Sequence, residues 1–111
     1  MEITLNKSGQ LAVVSVKGRM DTLSAPDFEK KLQEWISQGE TRFVVDFSNL
    51  DYISSAGLRS LMVVAKDVRA RGGELACCAL KGVVKQVFDV SGFSALLPVY
   101  ESVEEATKSR Q

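Results

Sequence analysis

Histidine is absent from the 111 residues. That removes the usual general base, the Ser-His and Cys-His nucleophile pairs and the imidazole ligands of most metal sites. Cysteine is scarce: Cys77 and Cys78 are adjacent, lie in an apolar run and have neither C-x-x-C spacing nor a second pair. No disulfide framework or metal site is expected from them, only two small residues on a buried strand, reduced as in a cytosolic protein. Net charge is missing as well. Fourteen basic residues balance fourteen acidic ones, so no overall field draws in nucleic acid or an anionic membrane surface. No apolar run approaches the ~20 residues of a membrane helix, and the opening Met-Glu-Ile-Thr-Leu-Asn-Lys lacks the order of a signal peptide. A cytoplasmic protein without nucleic-acid or membrane partners is expected. Neither G-x-G-x-x-G nor the P-loop pattern occurs, and no cofactor is expected.

What is present suits one soluble α/β domain. With 45% hydrophobic and 25% charged residues, the chain can bury a single core. Ile3 to Leu5 predicts a short edge strand and Lys7-Ser8-Gly9-Gln10 a turn. Leu11 to Val16, apolar at nearly every position, predicts a strand covered on both faces, completing a hairpin. Ser24, Pro26 and Asp27 mark a helix start with Ser24 as cap. Ala25, Phe28, Leu32, Trp35 and Ile36 give that helix one apolar face, and Gly39 ends it. Phe43 to Phe47 reads as a buried parallel strand. A second helix follows Ser54-Ser55, with Leu58, Leu61, Met62, Ala65 and Val68 inward, and stops at Gly72-Gly73. Leu75 to Ala79 is the next strand, so Phe43 to Ala79 forms a β-α-β unit. Val83, Val84, Val87 and Phe88 predict a third helix, Leu96 to Tyr100 an edge strand demoted by Pro98, and Ser102 to Glu105 a capped terminal helix. The expected fold is a small mixed, largely parallel sheet with about four helices over residues 1–111.

In such sheets function gathers in loops beyond the carboxyl ends of parallel strands. Three segments qualify as loops: Gly18 to Asp21, Leu50 to Gly57 and Leu80 to Gly82. The middle one holds Ser54 and Ser55 just before a helix. Either serine can serve as a simple helix cap. Gly57, inside the first helical turn, costs roughly 1 kcal/mol against alanine, a penalty that a close approach to a partner or to another helix would offset. A catalytic serine is not supported: Ile53 stands where G-x-S-x-G needs glycine, and no lysine lies at S-x-x-K spacing.

The stretch Val44-Val45-Asp46-Phe47-Ser48-Asn49-Leu50-Asp51-Tyr52-Ile53-Ser54-Ser55-Ala56-Gly57-Leu58 resembles the D-S-[ST]-G-[LI] region of the STAS domain family, and within it the bacterial anti-sigma-factor antagonists. Gly18-Arg19-Met20-Asp21 resembles the family's G-x-[LIM]-D element, and Val84 to Phe93 its late helix and G-[LF] turn. The resemblance covers nearly the whole chain and is carried by three matches in the right order and spacing. The resemblance implies a non-enzymatic switch. The unmodified protein binds an anti-sigma factor that is also a serine kinase, the kinase phosphorylates it, and a PP2C-type phosphatase restores it. By register with Gly57 the acceptor is Ser55, with Ser54 as the alternative. Ser54 replaces the family's aspartate and Ala56 its [ST]. Asp21, Ser54, Ser55, Ala56, Gly57 and Arg59 are the expected partner surface, with Ser60 a possible extension. A STAS scaffold in another signalling cascade, or a transporter accessory subunit, is the alternative role.

Overall fold

Successive residues of Leu11–Val16 face two different layers. Ala12, Val14 and Val16 enter the main core, whereas Leu11 and Val13 join a smaller cluster on the opposite face with Ala106. A strand flanked by helices on both sides requires this pattern. The computed structural model describes residues 1–110, with nothing to be said of the Arg110 side chain. The elements are β1 (Glu2–Ser8), β2 (Leu11–Met20), α1 (Ala25–Ser37), β3 (Arg42–Ile53), α2 (Ser55–Ala70), β4 (Glu74–Cys78), α3 (Gly82–Ser91), a single 3-10 turn (Phe93–Ala95), β5 (Val99–Tyr100) and α4 (Val103–Arg110). The sheet runs β1-β2-β3-β4-β5, with β1 antiparallel to β2 and every other neighbouring pair parallel.

The main core lies between the sheet and α1, α2 and α3. Phe28 and Leu32 of α1, Leu61 and Val64 of α2, and Phe88 of α3 are fully enclosed there. Phe88 meets Phe47 of β3 edge-on at 5.6 Å between ring centres, and Phe93 extends the stack at 5.9 Å. Cys77 and Cys78 are buried on β4 as free thiols. Burial pushes Cys78 up to about 12 and Cys77 further still, so neither is a ready nucleophile.

Several expectations are corrected. β1 extends beyond Ile3–Leu5 because it pairs with β2 along its whole length. The loops expected at Gly18–Asp21 and Leu50–Gly57 are mostly strand. β2 and β3 remain paired as far as Gly18↔Leu50, Arg19↔Tyr52 and Met20↔Ile53, and two register shifts absorb the irregular spacing. Leu50, Ile53 and Met20 seal that extension from within. Ser24 makes no side-chain cap to α1. Its hydroxyl instead donates to the Arg19 carbonyl at 2.6 Å and accepts from the Asp21 amide at 2.9 Å. On α2 the inward position is Val64, while Met62 is only half-buried.

Candidate functional site

The C-terminal ends of β2, β3 and β4 lie along one edge of the sheet, and β3 turns into α2 there through a single residue, Ser54. Ser54 is extended, with φ −95° and ψ 174°. Its amide donates to the Met20 carbonyl at 2.9 Å, and its own carbonyl accepts from the Leu58 amide at 3.0 Å. Its hydroxyl accepts from the Gly57 amide at 3.2 Å. Ser54 is thus the N-cap of α2, half-buried and with its side chain engaged.

Ser55 is the first helical residue and is exposed. Among the described residues its hydroxyl has no hydrogen-bond partner. With the Gly57 amide held by Ser54, the Ser55 and Ala56 amides remain open at the positive end of the helix dipole. Ala56 is half-buried against the main core.

Gly57 is buried, and its lack of a side chain has a definite cause. A Cβ there would sit 2.8 Å from Ile53 Cγ1, 2.9 Å from the Met20 carbonyl oxygen and 3.0 Å from Met20 Cγ. Within the chain, the close approach is made to the end of β2 and to Ile53 rather than to another helix. Arg59 is exposed, and among the described residues its side chain has no ion pair or hydrogen bond. Ser60 is 7% exposed and faces inward, so it does not extend the surface.

Asp21 organises its own turn. Oδ1 accepts from the Leu23 amide at 3.0 Å, the Ser24 amide at 3.1 Å and the Ser24 hydroxyl at 3.2 Å. Arg19 Nε lies 3.9 Å from Oδ2, and the Arg19 guanidinium stacks over Tyr52 at 4.4 Å. The backbone hydrogen bond from Ser24 holds the Asp21 carboxyl below its ordinary value. Desolvation opposes that shift, while the Leu23 amide, the Ser24 hydroxyl and Arg19 reinforce it. Asp21 acts as a turn residue beside the Ser54 hinge, whose amide is bonded to the preceding residue, Met20.

An open groove of about 420 Å³ runs beside Ser55, lined by Ser55, Leu58, Gln86, Val87, Val90 and Ser91. Val90 is 90% exposed, and Leu23, two residues past Asp21, is 91% exposed. Sequence reasoning missed both. The signal for Val90 was available: α3 carries valines at 83, 84, 87 and 90, more than one face can hold. Val84 and Phe88 fill the core, leaving Val83, Val87 and Val90 at i, i+4 and i+7 as an apolar stripe in which Val83 and Val90 are exposed and Val87 is half-buried against the core. Leu23 had no comparable signal.

The strand order and helix placement are those of a known family, and the sequence agrees. The STAS domain model matches residues 2–106, and the chain belongs to the STAS domain family. Among its relatives is BtrV of Bordetella bronchiseptica, named as a candidate anti-sigma factor antagonist. It is 41% identical over 106 residues, spanning 96% of this chain and 91% of the relative. The fold is similar to that of an anti-sigma factor antagonist from Mycobacterium paratuberculosis, with a TM-score of 0.90 at 19% identity over 98% of this chain and 92% of the other. It is also similar to the Bacillus cell fate determinant SpoIIAA in its phosphorylated form, with a TM-score of 0.76 at 20% identity, over 99% and 100% of the two chains. Among the described residues, no helix is long and apolar enough to cross a membrane.

Proposed function

We propose that this chain is an anti-sigma factor antagonist of the cytoplasm, a regulator without catalytic activity that is switched by phosphorylation on Ser55. Unmodified, it binds an anti-sigma factor that is also a serine kinase, and the sigma factor is released. The kinase transfers the γ-phosphoryl group of ATP to the Ser55 hydroxyl, whose proton is lost and ADP leaves. A PP2C-type phosphatase hydrolyses the ester and restores the serine. The names of BtrV and of the Mycobacterium paratuberculosis structure support the class, and a single observation supports the acceptor. Of two adjacent serines, Ser55 is exposed with an unengaged hydroxyl, whereas Ser54 is half-buried and bonded to Gly57.

The physical argument is one of charge and fit. A neutral hydroxyl at a helix start allows a partner to pack closely over it. Phosphate adds roughly 1.5–2 negative charges and three acceptors. The fold tolerates them, since the helix dipole and the two open amides favour an anion there by about 0.3–1 kcal/mol. A partner packed over the hydroxyl meets bulk and negative charge that its surface does not match, a penalty of roughly 2–5 kcal/mol, or about 30- to several-thousand-fold in affinity. The footprint we assign comprises Ser54, Ser55, Ala56, Gly57 and Arg59, the Asp21–Leu23 turn and the Val87–Val90 stripe.

The test is to incubate the chain with a candidate cognate anti-sigma kinase and ATP, then map the phosphate by mass spectrometry. Modification of Ser55, abolished in Ser55→Ala with binding retained, is the expected result. Phosphate on Ser54 would overturn the assignment.

A further inference from the structure

Arg59 stands one helical turn beyond Ser55 on α2, and both are exposed. Residues four apart on a helix share one strip of surface, their Cβ atoms about 5–6 Å apart. Elsewhere the chain uses this spacing for ion pairs: Arg71 meets Asp67 at 3.1 Å and Lys85 meets Asp89 at 3.2 Å. Arg59 has no such acid. Its neighbours one turn away are Ser55, Ala56, Met62 and Val63, and the one carboxylate on α2, Asp67, is held by Arg71. The groove on the other flank of Ser55 is lined by Leu58, Gln86, Val87, Val90 and Ser91, none of them charged. On α2, an anion at Ser55 therefore finds one side-chain cation within a helical turn, and that cation has no competing partner among the described residues.

We propose that Arg59 is the intramolecular receptor for phosphate on Ser55. The proposal rests on Ser55 being the phosphorylated residue. In the unmodified chain a neutral hydroxyl and a free guanidinium stand side by side, both open to an incoming protein. After phosphorylation, the guanidinium's planar fork of N–H donors binds the phosphate oxygens. Modification then alters the surface twice, placing charge over Ser55 and withdrawing the donors of Arg59 from the partner. Arg59 is a positioning residue for the phosphate, and a lysine would replace its charge but not its bidentate geometry.

The experiment installs phosphoserine at position 55 of the full chain during translation, so no kinase is needed. The second ionisation of the phosphate is followed by phosphorus NMR across pH in the wild type and in Arg59→Ala, Arg59→Gln and Arg59→Lys. A neighbouring cation favours the dianion, so the wild-type midpoint lies below that of Arg59→Ala and Arg59→Gln by about 0.2–0.4 pH units, with Arg59→Lys between. Coincident midpoints in all four chains overturn the proposal. Failure of the Ser55 assignment itself registers separately, as absence of phosphate on Ser55 in the kinase reaction. Circular dichroism melting of each variant verifies that an exposed substitution leaves the fold intact, and Arg59→Gln keeps most of the aliphatic stem that Arg59→Ala removes, so a shift shared by both reports the lost charge.

Discussion

Ser54 commits its hydroxyl to the Gly57 amide, and Ser55 holds its own out to solvent, although the two are neighbours of identical chemistry. The backbone decides between them: extended at Ser54 and helical from Ser55 onward. Sequence alone left both serines open as caps and as acceptors, because nothing in a serine pair says where a strand ends. Gly57 was legible as a costly residue but not in its cause, since two of the three atoms it must avoid belong to Met20 of β2, over thirty positions earlier. Substituting Gly57→Ala forces a Cβ against the Met20 carbonyl oxygen, and chemical denaturation should register a loss of about 1–3 kcal/mol. Asp21 allows a pH test. Its folded-state value lies below the ordinary 3.8, so its contribution is fully present above that value and fades as pH falls through the lower folded one. The stability gap between wild type and Asp21→Asn should therefore narrow on acidification below 3.8 and stay constant from pH 5 to 7. A gap that widens on acidification would contradict the turn-holding role.

Two helices flank the site and are held by different means. α2 is tied by its cap and by the Gly57 contact, both at the point where β3 ends. α3 is tied by Phe88, whose ring meets Phe47 and Phe93 edge-on. Phe88→Ala should lower stability by about 3–5 kcal/mol, and guanidinium unfolding measures it directly. The outward stripe of α3 should behave oppositely. Val90 is almost fully exposed, so Val90→Asp should leave the melting temperature unchanged within a few degrees while weakening partner binding at least about 10-fold. Equal affinity would remove α3 from the footprint. Helix periodicity located both helices well. What it could not convey was how far β2 and β3 run, because the extension is held by pairing between strands and by bulges that disturb strict alternation. Ser24 failed as a cap for a related reason: the Arg19 carbonyl and the Asp21 amide compete for its hydroxyl.

Across the chain the parallel order of β2, β3 and β4 gathers the Asp21 turn, the Ser54 hinge and the start of α3 onto one edge, and the opposite edge carries none of the expected site residues. The sheet's largely parallel character was legible from the β-branched runs and from the β-α-β spacing of residues 43–79. The motif order pointed to the same edge, but exposure of individual side chains there required coordinates. The proposed switching by phosphate on Ser55 would suit this arrangement, because the start of α2 is anchored through hydrogen bonds of Ser54 rather than of Ser55. Binding and folding must therefore separate. Titration calorimetry of the cognate anti-sigma kinase with the unmodified chain, and with the chain bearing phosphoserine at position 55, measures this separation. The predicted result is an affinity at least about 30-fold weaker for the phosphorylated chain, with melting temperatures within a few degrees of each other. Equal affinities would contradict the account.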